Sequence, residues 1–129
     1  MVTRTKPYQK SMEELKKELL TRLGQRIDSI ILYGSAARGQ YRPLESDIDV
    51  LVVGRGDDGS IKREISGIIG SIDFENSTAT SPVYLSRENF RRYLEWGSPF
   101  LENVLEEGVV LYDNGTFEQV RRSRVKAGK

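Results

Sequence analysis

Two aspartates separated by one residue, Asp47 and Asp49, open a run that is otherwise aliphatic, Ile48 and then Val50 to Val53. In an extended strand, residues two apart project to the same face, which sets their Cα atoms about 7 Å apart with both carboxylates on one side. Adjacent carboxylates repel. A divalent cation that bridges them relieves the repulsion and adds bonds to phosphate oxygens. Twelve residues before Asp47 stands Ser35, preceded by Gly34. Glycine lets the backbone approach a ligand closely, and the Ser35 hydroxyl and the N–H groups after it are donors, so a polyanionic phosphate is a natural occupant. Arg38 and Gly39 lie in the connection, and Ser46 is placed to cap or brace Asp47.

The chain has no His and no Cys. Imidazole acid–base chemistry, a Ser-His-Asp triad, a thiolate nucleophile, disulfides and His- or Cys-ligated zinc are therefore excluded. What remains is carboxylate chemistry on hard oxygen donors, suited to magnesium, manganese or calcium.

The elements that must position these residues can be read from periodicity. Ser11-Met12-Glu13-Glu14 has the form of a capping box, and Leu15, Leu19, Leu20 and Leu23 then stack on one helical face up to Gly24. Ile30 to Tyr33 is a short apolar run ending at Gly34, the pattern of a buried strand, and Asp47 to Val53 is a second one. The stretch 54–59 is a turn, with Asp57 expected in its exposed part, and Ser60 can cap a helix that buries Ile61, Ile65, Ile68 and Ile69. Thr78 to Leu85 predicts a third strand, which Pro82 confines to an edge or a strand start. Ser86 and Ser98-Pro99 open two further helices, Gly108 closes the second, and Val109 to Tyr112 forms a last strand before the turn at Asp113-Asn114-Gly115. Phe90, Tyr93, Trp96 and Phe100 have helical spacing and are expected to serve the core more than a partner face. The order α-β-β-α-β-α-α-β predicts a mixed β-sheet flanked by helices, in the α/β or α+β class.

The length, 129 residues, fits a single domain over 1–129 with one core. Hydrophobic residues at 37% and charged residues at 30% suit a globular chain, and no apolar run reaches the ~20 residues of a membrane span. The N-terminal residues lack the apolar core of a signal peptide, so the expected location is the cytoplasm. A net charge of +1 gives no global field for nucleic acid. Only the tail, about 121–129, is locally basic, and a solvated, frayed terminus is its expected state.

The stretch Gly34 to Asp49, GSAARGQYRPLESDID, closely resembles the signature of the DNA polymerase beta-like nucleotidyltransferases, in particular their minimal single-domain members. Gly34, Ser35, Arg38, Gly39, Asp47 and Asp49 match it residue by residue. The resemblance implies that Gly34, Ser35 and neighbouring Arg38 and Ser46 hold a nucleoside triphosphate such as ATP, and that Asp47 and Asp49 are the catalytic residues that bind magnesium or manganese. It implies transfer of a nucleoside monophosphate to a hydroxyl, with pyrophosphate leaving. The family's third carboxylate corresponds to about Ser81, where no acid stands; Asp73, Glu75, Glu88, Glu45 or a partner's carboxylate are the substitutes to consider, with Asp73 and Glu75 expected to serve as solvated surface acids before a turn unless the loop folds back. Minimal members also resemble the antitoxin half of toxin–antitoxin pairs, which implies a small helical partner protein as acceptor, with homo-oligomerisation open. The alternative is a module that binds nucleotide or neutralises its partner by contact, with vestigial catalysis.

Overall fold

The computed structural model describes residues 7–56 and 59–126. Helix α1 (Pro7–Leu23) leads through a single 3-10 turn into strand β1 (Ile27–Tyr33), a one-turn helix α2 (Gly34–Ala37) and strand β2 (Ile48–Gly54). Helix α3 (Gly59–Asn76), strand β3 (Thr80–Ser86), helices α4 (Arg87–Glu95) and α5 (Pro99–Glu107), strand β4 (Val109–Asp113) and helix α6 (Thr116–Lys126) follow. The four strands form one sheet in the order β3-β2-β1-β4. β1 runs antiparallel to both β2 and β4, while β2 and β3 are parallel, joined by α3 as parallel neighbours require. The architecture is a mixed sheet with helices on both faces, as the alternation of periods predicts. Pro82 falls on the edge strand, where its missing N–H breaks no ladder.

Strand alternation divides the core. Ile30, Leu32, Ile48, Val50 and Val52 pack under α1 and α3, and Ile31, Leu51 and Val53 pack under α4, α5 and α6. Ser86 and Ser98 cap α4 and α5 by accepting from the N–H groups of Asn89 and Leu101. At the end of the sheet where Ile27 pairs with Gly54, the fully buried Asp28 accepts two hydrogen bonds from Arg87 and one from the Asn114 amide, all at 2.8 Å. Burial alone would raise the Asp28 carboxyl, but the Arg87 and Asn114 hydrogen bonds and the charges of Arg87 and Arg55 outweigh it and hold it below the ordinary carboxylate value.

Three expectations need correction. Ser11 does not cap α1. The apolar face extends back through Met12 to Tyr8, so the helix begins at Pro7; Ser11 is fully buried, 2.8 Å from the Thr78 hydroxyl, and Glu14 accepts from the Asn76 amide. The eight-element order omits two helices, since the Gly34-Ser35 turn folds as the one-turn helix α2 and α6 follows β4. The basic run is not frayed through Arg124. Asp113 accepts from the N–H groups of Phe117 and Glu118 at the start of α6, and Phe117 is buried. Arg121 lies 4.8 Å over the Phe117 ring and donates to the carbonyls of Leu105 and Gly108, and Arg124 pairs with Glu102 at 2.8 Å. Asp57 and residues 127–129 lie outside the described residues. Among the described residues no helix is long and apolar enough to cross a membrane.

Candidate active site

β1 delivers the chain to the site in extended form at Tyr33, with φ −142°. Gly34 then takes φ +73°, a left-handed value that favours glycine, and starts the α2 turn. The first N–H groups of a helical turn have no partner within it and remain available as donors. The turn closes on itself through Arg38 N–H to the Gly34 carbonyl at 3.1 Å and Gln40 N–H to the Ser35 carbonyl at 2.8 Å. The chain returns through a tight loop in which Ser46 N–H donates to the Arg42 carbonyl at 2.8 Å and Arg42 N–H donates to the Ser46 hydroxyl at 3.0 Å. Ser46 thus braces the loop that presents Asp47.

Asp47 is exposed and precedes β2 by one residue, whereas Asp49 is half-buried inside the strand, directly opposite Tyr33. Ile48 between them is fully buried on the other face, as the alternation requires. The packing at Gly34 is the tightest feature of the site. A Cβ placed there would run into Asp49 Oδ2 and come within 3.1 Å of Asp49 Cγ. Gly34 and Asp49, fifteen residues apart in sequence, therefore lie backbone against carboxylate.

Burial, and then the charge of Asp47, push the Asp49 carboxyl above its ordinary value, with Arg38 pulling partly back. The Tyr33 hydroxyl is pushed up to about 12, by burial first and Asp49 second. Tyr41 is raised by burial, Asp73 and Asp47. Tyrosines placed beside both aspartates thus feel the same negative field. Arg38 is the nearby cation; its guanidinium also donates to Glu107 at 3.1 Å and Gln40 at 3.3 Å. A cleft of about 180 Å³ beside Asp47 is lined by Tyr41, Leu44, Ser46, Ser77 and Ala79 among others. A larger groove of about 370 Å³ runs between α1 and α3, and none of residues 33–49 lines it.

The donor set fits a hard divalent cation, since it consists of two carboxylate side chains beside the α2 turn in a region of negative field. A third carboxylate does not join it. Among the described residues no group of three acids is arranged to hold a metal. Ser81 is the register partner of Asp49 on β3, which puts a hydroxyl at the position where the acid is missing. Asp73 is not loose surface acid before a turn. Its oxygens accept from the Thr78 hydroxyl and from both the N–H and the hydroxyl of Thr80, each at 2.8 Å, and this locks the start of β3. Glu75 lines the α1–α3 groove, and Glu88 follows the far end of β3, where Ser86 pairs with Gly54. Glu45 shares the cleft with Asp47 but is exposed in the loop.

Residues 12–125 match the family model of the nucleotidyltransferase domain. The chain belongs to the nucleotidyltransferase family. A Methanocaldococcus jannaschii protein named as a protein adenylyltransferase is 36% identical over 104 residues, covering 81% of this chain and 97% of that protein. A second protein so named from the same organism is 48% identical over 42 residues, covering 33% of this chain and 41% of its own length. Membership in the family makes the chain a transferase enzyme. Solved structures share the nucleotidyltransferase fold: a toxin–antitoxin complex with AMP-PNP (20% identity, TM-score 0.58, 89% of this chain and 84% of that one) and an MntA–HpeT toxin–antitoxin mutant (18%, TM-score 0.61, 90% and 84%). A third is a tri-AMPylated Shewanella oneidensis HEPN toxin in complex with MNT antitoxin (18%, TM-score 0.56, 92% and 83%).

Sequence reasoning brought Gly34, Ser35, Arg38, Ser46, Asp47 and Asp49 to one end of the sheet, and the structure collects them there. It missed Tyr33, readable as the residue that β1 sets opposite Asp49, and Glu107, for which no local signal exists because it meets Arg38 across 69 residues.

Proposed function

We propose that this nucleotidyltransferase binds ATP with magnesium at Gly34, Ser35, Asp47 and Asp49 and moves AMP to a hydroxyl of a small helical partner protein, as the antitoxin half of a toxin–antitoxin pair. The observation that carries the proposal is the close packing of the Gly34 turn on the Asp49 carboxylate, with Asp47 beside it. Magnesium or manganese, held by Asp47 and Asp49, would neutralise phosphate oxygens and polarise the phosphorus under attack. The chain's own groups do the rest. The N–H donors of the α2 turn and the Ser35 hydroxyl hold the phosphate tail, and Arg38 offsets its charge. The acceptor oxygen gains a bond to the α-phosphorus, the bond to the bridging oxygen breaks, pyrophosphate leaves and the hydroxyl proton is released.

The relatives support this reading through what their names state: protein adenylyltransferase, antitoxin, AMP-PNP, tri-AMPylated toxin. Ser81 opposite Asp49 favours a second reading, in which nucleotide binds but transfer is vestigial and the partner is neutralised by contact. The test is incubation of the chain with its gene neighbour's product and ATP radiolabelled in the α-phosphate. Magnesium-dependent label on the partner, lost in Asp47→Asn and in Asp49→Asn, is expected. Stable complex formation without label would support the contact reading instead.

A further inference from the structure

Helix α5 is tied to β1 at both ends. Near its start Phe100 meets the Tyr33 ring edge-on, with 5.2 Å between centroids. Past its end Gly108 lies so close to the strand that a Cβ there would strike the Val104 carbonyl and come within 2.7 Å of Ile31 Cγ2. Val109 then pairs with Leu32, so Glu107, the last residue of the helix, is fixed at the end of β1 from which the Gly34 turn departs. Nothing local favours a negative charge there. The C-terminal end of a helix disfavours anions, Glu106 adds a second one, and no base lies in the last turn. Arg121 reaches this end of the helix, but it donates to the carbonyls of Leu105 and Gly108 rather than to Glu107. The Glu107 carboxylate instead accepts from Arg38 Nη1 at 3.1 Å, while Arg38 Nε donates to Gln40 at 3.3 Å.

The Arg38 and Glu107 side chains are 46% and 30% exposed, so their ion pair contributes little to stability. Its effect is geometric. A guanidinium is a rigid planar fork, and acceptors from two different elements fix the plane of this one while Nη2 makes no further bond among the described residues. The charge held in this way acts on Asp49, whose carboxyl it pulls back toward the ordinary value. Resting on the reading of residues 34–49 as a nucleotide site, we infer that Glu107 is a positioning residue of that site: it holds Arg38 with Nη2 open to a phosphate oxygen and touches no nucleotide itself. A free arginine side chain gives up rotamer freedom when it reaches a phosphate, and one already held gives up less. Glu107 therefore strengthens triphosphate binding only through Arg38, from 69 residues away.

A double-mutant cycle tests this, with ATP titrated in magnesium into the full chain as wild type, Glu107→Ala, Arg38→Ala and the double variant. Glu107→Ala should weaken binding by about fivefold, a coupling within the range usual for residues of one network. It should melt at or above wild type, because the helix end gains nothing from the acid. Arg38→Ala should weaken binding at least as much, and the double variant should bind no worse than Arg38→Ala. Glu107→Gln keeps an acceptor oxygen and should recover most of the affinity, which a charge acting directly on the nucleotide would not allow. Affinity in Glu107→Ala equal to or tighter than wild type overturns the inference and leaves the nucleotide reading intact. So does the same loss when Glu107→Ala is added to Arg38→Ala, which would mean that Glu107 acts by another route. A wild type that binds no ATP with magnesium overturns the nucleotide reading, and the inference with it.

Discussion

Gly34 and Asp49 share a space that admits no side chain between them: a Cβ on Gly34 would strike the Asp49 carboxylate. Gly24 provides the comparison, since it also has a left-handed φ, +49°, but meets nothing within 4 Å. Alanine at either position carries a backbone strain of about 1–2 kcal/mol. Only Gly34→Ala also displaces Asp49. We expect Gly34→Ala to lose at least as much stability as Gly24→Ala in urea titrations, and Gly34→Ala alone to lose at least tenfold in ATP affinity measured with magnesium.

The raised Asp49 carboxyl sets a pH dependence whose sign is fixed. Burial and then Asp47 make the folded chain hold this proton more tightly than the unfolded chain does. The folded state is therefore favoured at low pH and loses that advantage as pH rises from the ordinary carboxylate value of 3.8 through the raised one. In chelator near neutral pH, Asp49→Asn should melt above wild type, and the gap should close toward the acid side. Magnesium should raise the Tm of wild type and leave Asp49→Asn nearly unmoved.

The register of β2 and β3 places Ser81 beside Asp49, so Ser81→Asp adds the missing acid in the right place. In chelator the variant should melt below wild type because three carboxylates crowd one site. Its Tm gain on adding manganese should exceed that of wild type, and label transfer to the partner should rise. Brisk wild-type transfer with no gain in Ser81→Asp would mean that another acid completes the site.

Arg87 satisfies the buried Asp28 with two hydrogen bonds. Removing it leaves a buried charge short of partners, for which about 3–5 kcal/mol is the usual loss. Arg87→Ala should therefore lower the urea midpoint sharply, whereas Arg91→Ala, on the exposed side of α4, should change stability by less than about 0.5 kcal/mol. Because the folded Asp28 pKa is depressed, wild type should lose this contribution as pH falls through it, and the difference between wild type and Arg87→Ala should shrink in acid.

Much of this architecture is legible in the sequence because local chemistry and tertiary fold agree there. The aliphatic runs at Ile30 and Val50 are buried strands, Pro82 marks the edge, and Ser86 and Ser98 cap the helices they precede. The chain is hard to read where a side chain serves a distant partner. Ser11 has the sequence context of a cap but bonds Thr78, 67 residues away, and Asp73 resembles solvated acid but pins Thr78 and Thr80. The basic tail reads as solvent-facing because nothing local shows that Arg121 will find the carbonyls of α5's end or that Phe117 will pin the helix to the sheet. In the site itself, Asp47 and Asp49 are apparent from spacing, yet the reason for glycine at position 34 emerges only when Asp49 is seen against it.

Calorimetric titration of ATP into the purified chain, with magnesium and separately with chelator, tests the central claim most directly. If Asp47 and Asp49 form a metal–triphosphate site with the Gly34 turn, binding appears only with magnesium and disappears in Asp49→Asn, because the bare carboxylates repel the phosphates. Equal affinity in magnesium and in chelator, or full affinity retained by Asp49→Asn, would contradict it.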